Sequence, residues 1–331
     1  MRGRLSSRAI VADYVCPVCH GRLDPCGTDT LVCAGAQTGV SAPHSYPVEN
    51  NIADFSGGAY YDQFNSEGEL TAEHKMGLAA EVAGSRWRVE RFYMPLLEPG
   101  GRVLDCGCGN GVSVDVLHEH GVDAWGVDLS ALRKWQWRER THRDRLAVAN
   151  AMRLPFPDSF FDAVISSGVI EHIGVEEVGG AAYSVRPMPN RDAVRQDYID
   201  ELLRVTKPGG RVFVDCPNGA FPIDFWHGGA GGRARWHRRD EGFLPSFADI
   251  RRLARDADVR ALSPHRRFAF KQVGQHWYGR LFSAPMAMLF AAMRALPMLA
   301  RTAINPYLVV EIVIPSREDG EESGRRNRAT A

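Results

Sequence analysis

The sequence predicts an α/β fold, a mainly parallel sheet with helices on both faces, and three observations carry that expectation. Arg102–Gly111 runs from a short apolar strand through an acid, Asp105, into glycines at alternate positions, Gly107, Gly109 and Gly111. Ala124–Leu129 is a second apolar strand and closes on another acid, Asp128. From there, strand-like and helix-like stretches alternate as far as Cys216, completing five βα units.

Composition sets the limits. The chain has 331 residues, 44% apolar and 24% charged, the balance of an ordinary globular protein. Lys plus Arg and Asp plus Glu number 40 each, so no global field draws it to nucleic acid or acidic membranes. Residues 1–15 are basic but lack the apolar core of a secretion signal. The longest apolar stretch, Ala284–Ala300, is broken by Arg294 and Pro297 and is short for a membrane span. A cytoplasmic protein is expected.

Four of the seven cysteines, Cys16, Cys19, Cys26 and Cys33, crowd the start of the chain. A CxxC in such a setting points to metal chemistry rather than to a disulfide framework. Cys16 and Cys19 flank a tight turn, and Cys33 ends a predicted strand, Thr30–Cys33. Two thiolates three residues apart grip one tetrahedral zinc, and a second pair across a hairpin completes it. Ala36 stands where a second knuckle cysteine would be, so the fourth ligand is open. A metal-free packed hairpin is the alternative. Beyond this segment, Ala79–Leu97 has helical spacing up to Pro99-Gly100-Gly101. Tyr60, Tyr61 and His74, just before it, are either ligand-facing or surface and packing residues.

After the glycine turn, a helix is expected over Val112–His120, stopped by Gly121. Asp128 lies about twenty residues past Gly107, the spacing of a carboxylate that accepts both ribose hydroxyls of an adenosine. A basic helix over Leu132–Arg145, strands over Leu146–Ala151 and Ala163–Ser167, a helix over Asp192–Val205 and a strand over Arg211–Cys216 follow. The glycine pattern is GxGxG with an acid, Asp105, two residues before its first glycine. Pyrophosphate prefers bare amides, and a carboxylate there would repel it. A ligand carrying an ammonium and a sulfonium would be attracted. Cys106 and Cys108 read as small turn residues.

The series VLDCGCGNG, GVDLS, LPFPDSFFDAVISSGVIEHI and LLRVTKPGGRVFVDCPNG, spanning Arg102–Asn218, resembles the class I S-adenosylmethionine-dependent methyltransferases. The branch is that of the ubiquinone and menaquinone enzymes. The resemblance implies a Rossmann-like sheet of seven strands with the last antiparallel. It implies that Asp105 with the backbone of Gly107, Gly109 and Gly111 holds the methionyl end, and Asp128 the ribose. Leu129 and Met152 would flank the adenine beside Asn150 and Ala151, with Asn150 where the family often has Asp. Ser167 and Gly168 would face the sulfur. His172 would be a general base or a pocket wall.

The N-terminal stretch in turn resembles the small zinc ribbons that begin several methyltransferase families and their partner proteins. Tyr46-Pro47-Val48 matches their turn, and Ile52–Phe55 the strand after it. By likeness to rRNA guanine methyltransferases with three cysteines and a histidine, His44 is the expected fourth ligand of a structural zinc beside Cys16, Cys19 and Cys33. Cys26 is the alternative.

The acceptor should be read in the last third. Gly219–Gly232 is aromatic and glycine-rich, and Arg233–Lys271 holds eleven Arg or Lys against five acids. That excess is either a phosphate-binding surface or a solvated helix face over Phe247–Asp258. Val259–Leu262 or Arg267–Val273 is the sixth strand and Tyr307–Ile314 the last. Between them 276–304 is apolar and methionine-rich, an insertion serving as lid, dimer face, membrane-surface helix or added core. The expected organisation is a ribbon over 1–55, a helical approach over 56–100, the methyltransferase domain over 101–315 with acceptor-side loops and insertion over 218–306, and a disordered tail over 316–331. The expected activity is methyl transfer to a small-molecule, lipid-linked or glycan acceptor, with peripheral membrane contact or homodimerisation through 276–304. RNA methylation and a non-catalytic partner-binding scaffold are the alternatives.

Overall fold

The computed structural model describes residues 13–33, 44–62, 72–178, 183–227, 234–255, 257–264 and 277–316. The chain divides into two compact units, Met1–Ile165 with Glu201–Lys207, and Ser166–Asp200 with Pro208–Ala331.

In the first unit, β1 (Leu23–Cys26) and β2 (Thr30–Cys33) form a hairpin. β3 (Ser45–Glu49) pairs with β2 and turns into β4 (Ile52–Asp54). That turn is Asn50-Asn51, both at positive φ (54° and 67°), the left-handed pair a two-residue hairpin needs and asparagine tolerates. α1 (Ala72–Arg88) runs on through a π turn (Val89–Tyr93) and a 3-10 turn (Met94–Leu96). Next come β5 (Arg102–Cys106), α2 (Val112–Glu119), β6 (Asp123–Asp128), α3 (Ala131–Gln136), β7 (Leu146–Val148) and β8 (Phe161–Ser167). The strand order is β4-β7-β6-β5-β8, all parallel, with β3, β2 and β1 added antiparallel beyond β4.

The ribbon is thus not set apart at residue 55. Its last strand is one strand of the parallel array, with Ala53 opposite Ala147 and Asp54 opposite Val148. Tyr14 packs its ring on Phe55, Trp125 and Phe156 at 5.3–5.6 Å between centroids, within the aromatic core. One hydrophobic core serves both segments.

The basic helix expected over Leu132–Arg145 is broken. α3 stops at Gln136 and two 3-10 turns follow, Trp137–Glu139 and Arg143–Arg145. The chain bends because Trp137 buries its indole and donates to the Gly109 carbonyl at 2.8 Å, while Asp115 draws in the His142 amide at 2.9 Å. Tertiary hydrogen bonds override helix propensity here.

In the second unit a hairpin the sequence pattern did not signal, β9 (Val175–Val178) and β10 (Ser184–Pro187), is mostly exposed. α4 (Arg191–Val205) leads to β11 (Thr206–Pro217). The short pair β12 (Ile223–Asp224) and β13 (Arg235–Trp236) comes next. α5 (Phe247–Leu253) opens on a capping box in which Ser246 and Asp249 satisfy each other's backbone nitrogens. β14 (Asp258–Leu262), α6 (Trp277–Ala295) and β15 (Tyr307–Val313) complete it. β15 lies between β11 and β14 and is antiparallel to both. The sixth strand is therefore the Val259–Leu262 candidate; the other, 267–273, falls outside the described residues, as do most of the tail and part of the glycine-rich loop.

α6 buries Phe290 and Met293 against Ala300, Ala261 and Trp226. Leu281, Met288, Leu296 and Met298 on and after it stay exposed. The insertion is core on one side and bare apolar surface on the other. No helix among the described residues is long and apolar enough to cross a membrane.

Candidate functional site

The first unit carries the acid-and-glycine turn. Gly107, Gly109 and Gly111 all take positive φ (86°, 53° and 74°), which lets the chain fold back between β5 and α2. The amides of Gly107 and Cys108 both donate to the Val127 carbonyl, at 2.8 and 3.0 Å, fastening the turn to β6. Gly111 has no room for a side chain, since a Cβ would meet Leu146 at 2.8 Å and Trp137 at 3.0 Å.

Asp128, at the end of β6, accepts from the Gly109 amide at 2.9 Å. Burial pushes its carboxyl up, while the Gly109 donor and the Arg133 charge pull it down, and burial prevails. Asp105 is 7% exposed at the end of β5, and Asn110 in the turn before α2 keeps a buried, unpartnered amide nitrogen. Burial and the Asp105 and Asp128 charges push the Cys108 thiol well up, so it is a packed thiol and no nucleophile.

The segment before α1 closes on the same strand end. The Tyr61 amide donates to the Leu129 carbonyl at 3.1 Å, and the Asp62 carboxylate caps α3 through Ala131 at 2.7 Å and through Ser130. Glu81 of α1 pairs with Arg133 at 2.9 Å, and its carboxylate lies 3.2 Å from where a Gly109 Cβ would be. Asp62, Glu81 and Arg133 were not found by sequence reasoning, because contacts across fifty to seventy residues leave no local signal. The Asn150 side-chain amide oxygen accepts from the Met152 backbone N–H at 2.9 Å, so Asn150, Ala151 and Met152 form a local turn after β7. The His74 side chain lies outside the described residues.

Ser167 and Gly168 fall in the second unit. The Ser167 hydroxyl donates to the buried Asp215 carboxylate, which also takes the Tyr307 hydroxyl. The Gly168 amide donates to the Asp215 carbonyl at 2.8 Å. The expected sulfur-facing serine thus has its hydroxyl engaged by β11. His172 places Nδ1 2.8 Å from Glu177. Burial works against its protonation, yet the Glu177 and Glu171 carboxylates outweigh that and hold its pKa above the ordinary imidazole value.

Among the N-terminal cysteines, the structure gathers Cys16, Cys19 and Cys33 with His44, their ligand atoms all within 4.8 Å of one another. Cys19 and Cys33 sulfurs are 3.2 Å apart, and Cys16 sulfur is 3.5 Å from His44 Nδ1. Burial would raise the Cys16 thiol, but hydrogen bonds from Tyr46 and the Cys19 and Val18 backbone bring it down to about 7. Three sulfurs and one imidazole at such spacing fit a tetrahedral ion. Cys26 is exposed at the far end of β1 and outside the group.

Within the basic segment, Arg235 pairs with Asp224 and Glu241, Arg238 with Asp240, Arg252 with Asp249, Arg255 with Asp200 and Arg260 with Asp258. Much of the charge excess is answered locally.

Residues 104–214 match the family profile described as a methyltransferase domain. Those residues form a methyltransferase domain. Over 174 residues the chain is 31% identical to a 2-methyl-6-phytyl-1,4-hydroquinone methyltransferase of Synechocystis, covering 50% of this chain and 48% of that protein. A demethylmenaquinone methyltransferase of Beutenbergia cavernae is 33% identical over 116 residues, 35% of this chain and 40% of that one. A probable tRNA methyltransferase 9B of mouse is 29% identical over 139 residues, 40% of this chain and 26% of its own length. The chain thus spans less than half of each of these relatives. The methyltransferase domain of this chain begins inside β5 and ends inside β11 by that match, so the ribbon, α1 and everything past β11 lie outside it.

Proposed function

We propose that the protein is an S-adenosylmethionine-dependent methyltransferase acting on a small-molecule acceptor. The observation that carries this reading is the pairing of two strand-end carboxylates, Asp105 and Asp128, with a turn whose three glycines all hold positive φ. Asp105 would take the methionyl ammonium, the glycine backbone the chain beside it, and Asp128 the ribose hydroxyls. Leu129 and Met152 would flank the adenine, with Asn150 and Ala151 at its edge. Bound S-adenosylmethionine supplies a methyl on a sulfonium that is already a good leaving group. The chain's task is to hold the donor so that an acceptor atom approaches in line, and to let the acceptor's proton leave.

Titration calorimetry tests the reading. Saturable binding of S-adenosylmethionine and its demethylated product is expected, and its absence would overturn it.

Relatives named as hydroquinone and demethylmenaquinone methyltransferases support a small, apolar, ring-bearing acceptor. A lipid-linked form would suit the exposed apolar residues of α6, with the protein working in the cytoplasm against a membrane surface. An RNA acceptor is supported by the relative named as a probable tRNA methyltransferase. It requires a steep fall of binding with salt. The paired arginines lead us to expect a flat response.

The ribbon is read as a structural zinc site held by Cys16, Cys19, Cys33 and His44. A filled site would join the loop before β1 to the end of β2.

A further inference from the structure

A second group of metal-competent side chains sits in the second unit. Glu171, His172 and His227 bring one ligand-capable atom each to within 4.8 Å of the others. Glu171 is 2% exposed, and its Oε2 has no hydrogen-bond partner. A buried carboxylate oxygen left unpaired is a costly arrangement that a bound cation would relieve.

Both imidazoles are already oriented. His172 directs Nδ1 to Glu177 at 2.8 Å, and His227 directs Nδ1 to Asp224 at 3.1 Å. Asp224 is itself fixed by the Trp226 amide at 2.9 Å and by Arg235 at 3.3 Å. Tyr183 stacks on the His227 ring at 5.3 Å and Phe243 meets its edge at 4.7 Å. A histidine whose one nitrogen is held by a carboxylate presents the other as a basic, correctly aimed ligand. The surroundings favour positive charge, since the carboxylates Glu171, Glu177, Asp224 and Glu241 stand against the guanidinium groups of Arg195 and Arg235. The His172 side chain is 37% exposed and that of His227 12%, so the group opens to solvent on one side.

We propose that Glu171, His172 and His227 hold a divalent first-row transition-metal ion. Two imidazoles and one carboxylate occupy one face of such an ion and leave positions open for water or an oxygen of a small ligand. Ligand atoms about 2.1 Å from a common ion sit roughly 3–3.4 Å apart, so these atoms, now within 4.8 Å of one another, would draw inward on binding. The competing role for His172, a metal-free proton acceptor, needs no contribution from His227 or Glu171 to metal binding.

The test uses the full chain loaded with one equivalent of Zn2+, which the thiolates take first, and then titrated with Co2+. One further equivalent is expected, with visible ligand-field bands and no near-ultraviolet thiolate charge transfer. Glu171→Gln and His227→Ala should each weaken it at least tenfold, and Glu177→Gln, which removes only an orienting partner, by a smaller factor. Should His227→Ala fail to fold, the isosteric Glu171→Gln decides. Absence of such bands in the unaltered chain, or unchanged Co2+ affinity in Glu171→Gln, would overturn the proposal.

Discussion

The Asp128 carboxylate accepts a hydrogen bond from the Gly109 amide at 2.9 Å, joining the end of one strand to the turn after its neighbour. The same side chain is therefore asked to shape the turn and, in our reading, to receive a ribose. Asp128→Ala removes both functions. Hydrogen bonds to a charged group contribute about 1.5–3 kcal/mol each, so S-adenosylmethionine affinity should fall at least thirtyfold by calorimetry. Asp128→Asn keeps an acceptor for Gly109 and should lie between the two in thermal stability. Binding within threefold of the unaltered chain in Asp128→Ala would remove Asp128 from the site.

Gly111 is a packing constraint as well as a conformational one. Gly111→Ala must push Leu146 or Trp137 aside while holding φ at 74°. Overpacking of this kind costs about 1–3 kcal/mol, and the strain of a left-handed non-glycine residue adds to it. Denaturant unfolding should show the loss, and a shift smaller than about 0.5 kcal/mol would mean that the turn relaxes freely.

The ribbon distinguishes its cysteines. Cys33→Ser should lose the zinc measured by elemental analysis, and Cys26→Ser should keep it, because Cys26 stands outside the group of four. Equal zinc content in both variants would contradict this ligand set.

Asp54 links the ribbon's last strand to α3 through Lys134 at 2.8 Å, with Ser56 and Tyr60 as further donors at 2.6 and 2.5 Å. Burial alone would raise its carboxyl, but these donors hold it below the ordinary carboxylate value. A depressed folded pKa means stability that is fully present above the unfolded value of about 3.9 and is lost as pH falls through the folded pKa. Asp54→Asn should therefore cost about 2 kcal/mol near neutral pH, and the gap to the unaltered chain should close in acid. A gap independent of pH would show that shape, not charge, matters at this position.

Much of this protein was legible one segment at a time. The βα alternation, the acid before the first glycine and the acid closing the next strand are short-range patterns, and β5, β6 and β8 formed where they pointed. Cys16, Cys19, Cys33 and His44 were legible by spacing and likeness, and the fold brings those four together. Helix continuity was less legible. α3 breaks after Gln136 because the Trp137 indole finds the Gly109 carbonyl, a contact that no local period encodes.

What the sequence by itself determined, then, was the order of strands and turns and the chemical character of the acid-and-glycine cradle, since both rest on neighbours in the chain. Only the tertiary structure decided that Asp62, Glu81 and Arg133 close on that cradle. It alone made β4 one strand of the parallel array, and gave His172 and His227 their carboxylate partners around the unpaired oxygen of Glu171. These are pairings of charged and polar groups distant in sequence. Burial, which removes water as a competing partner, is what selects them.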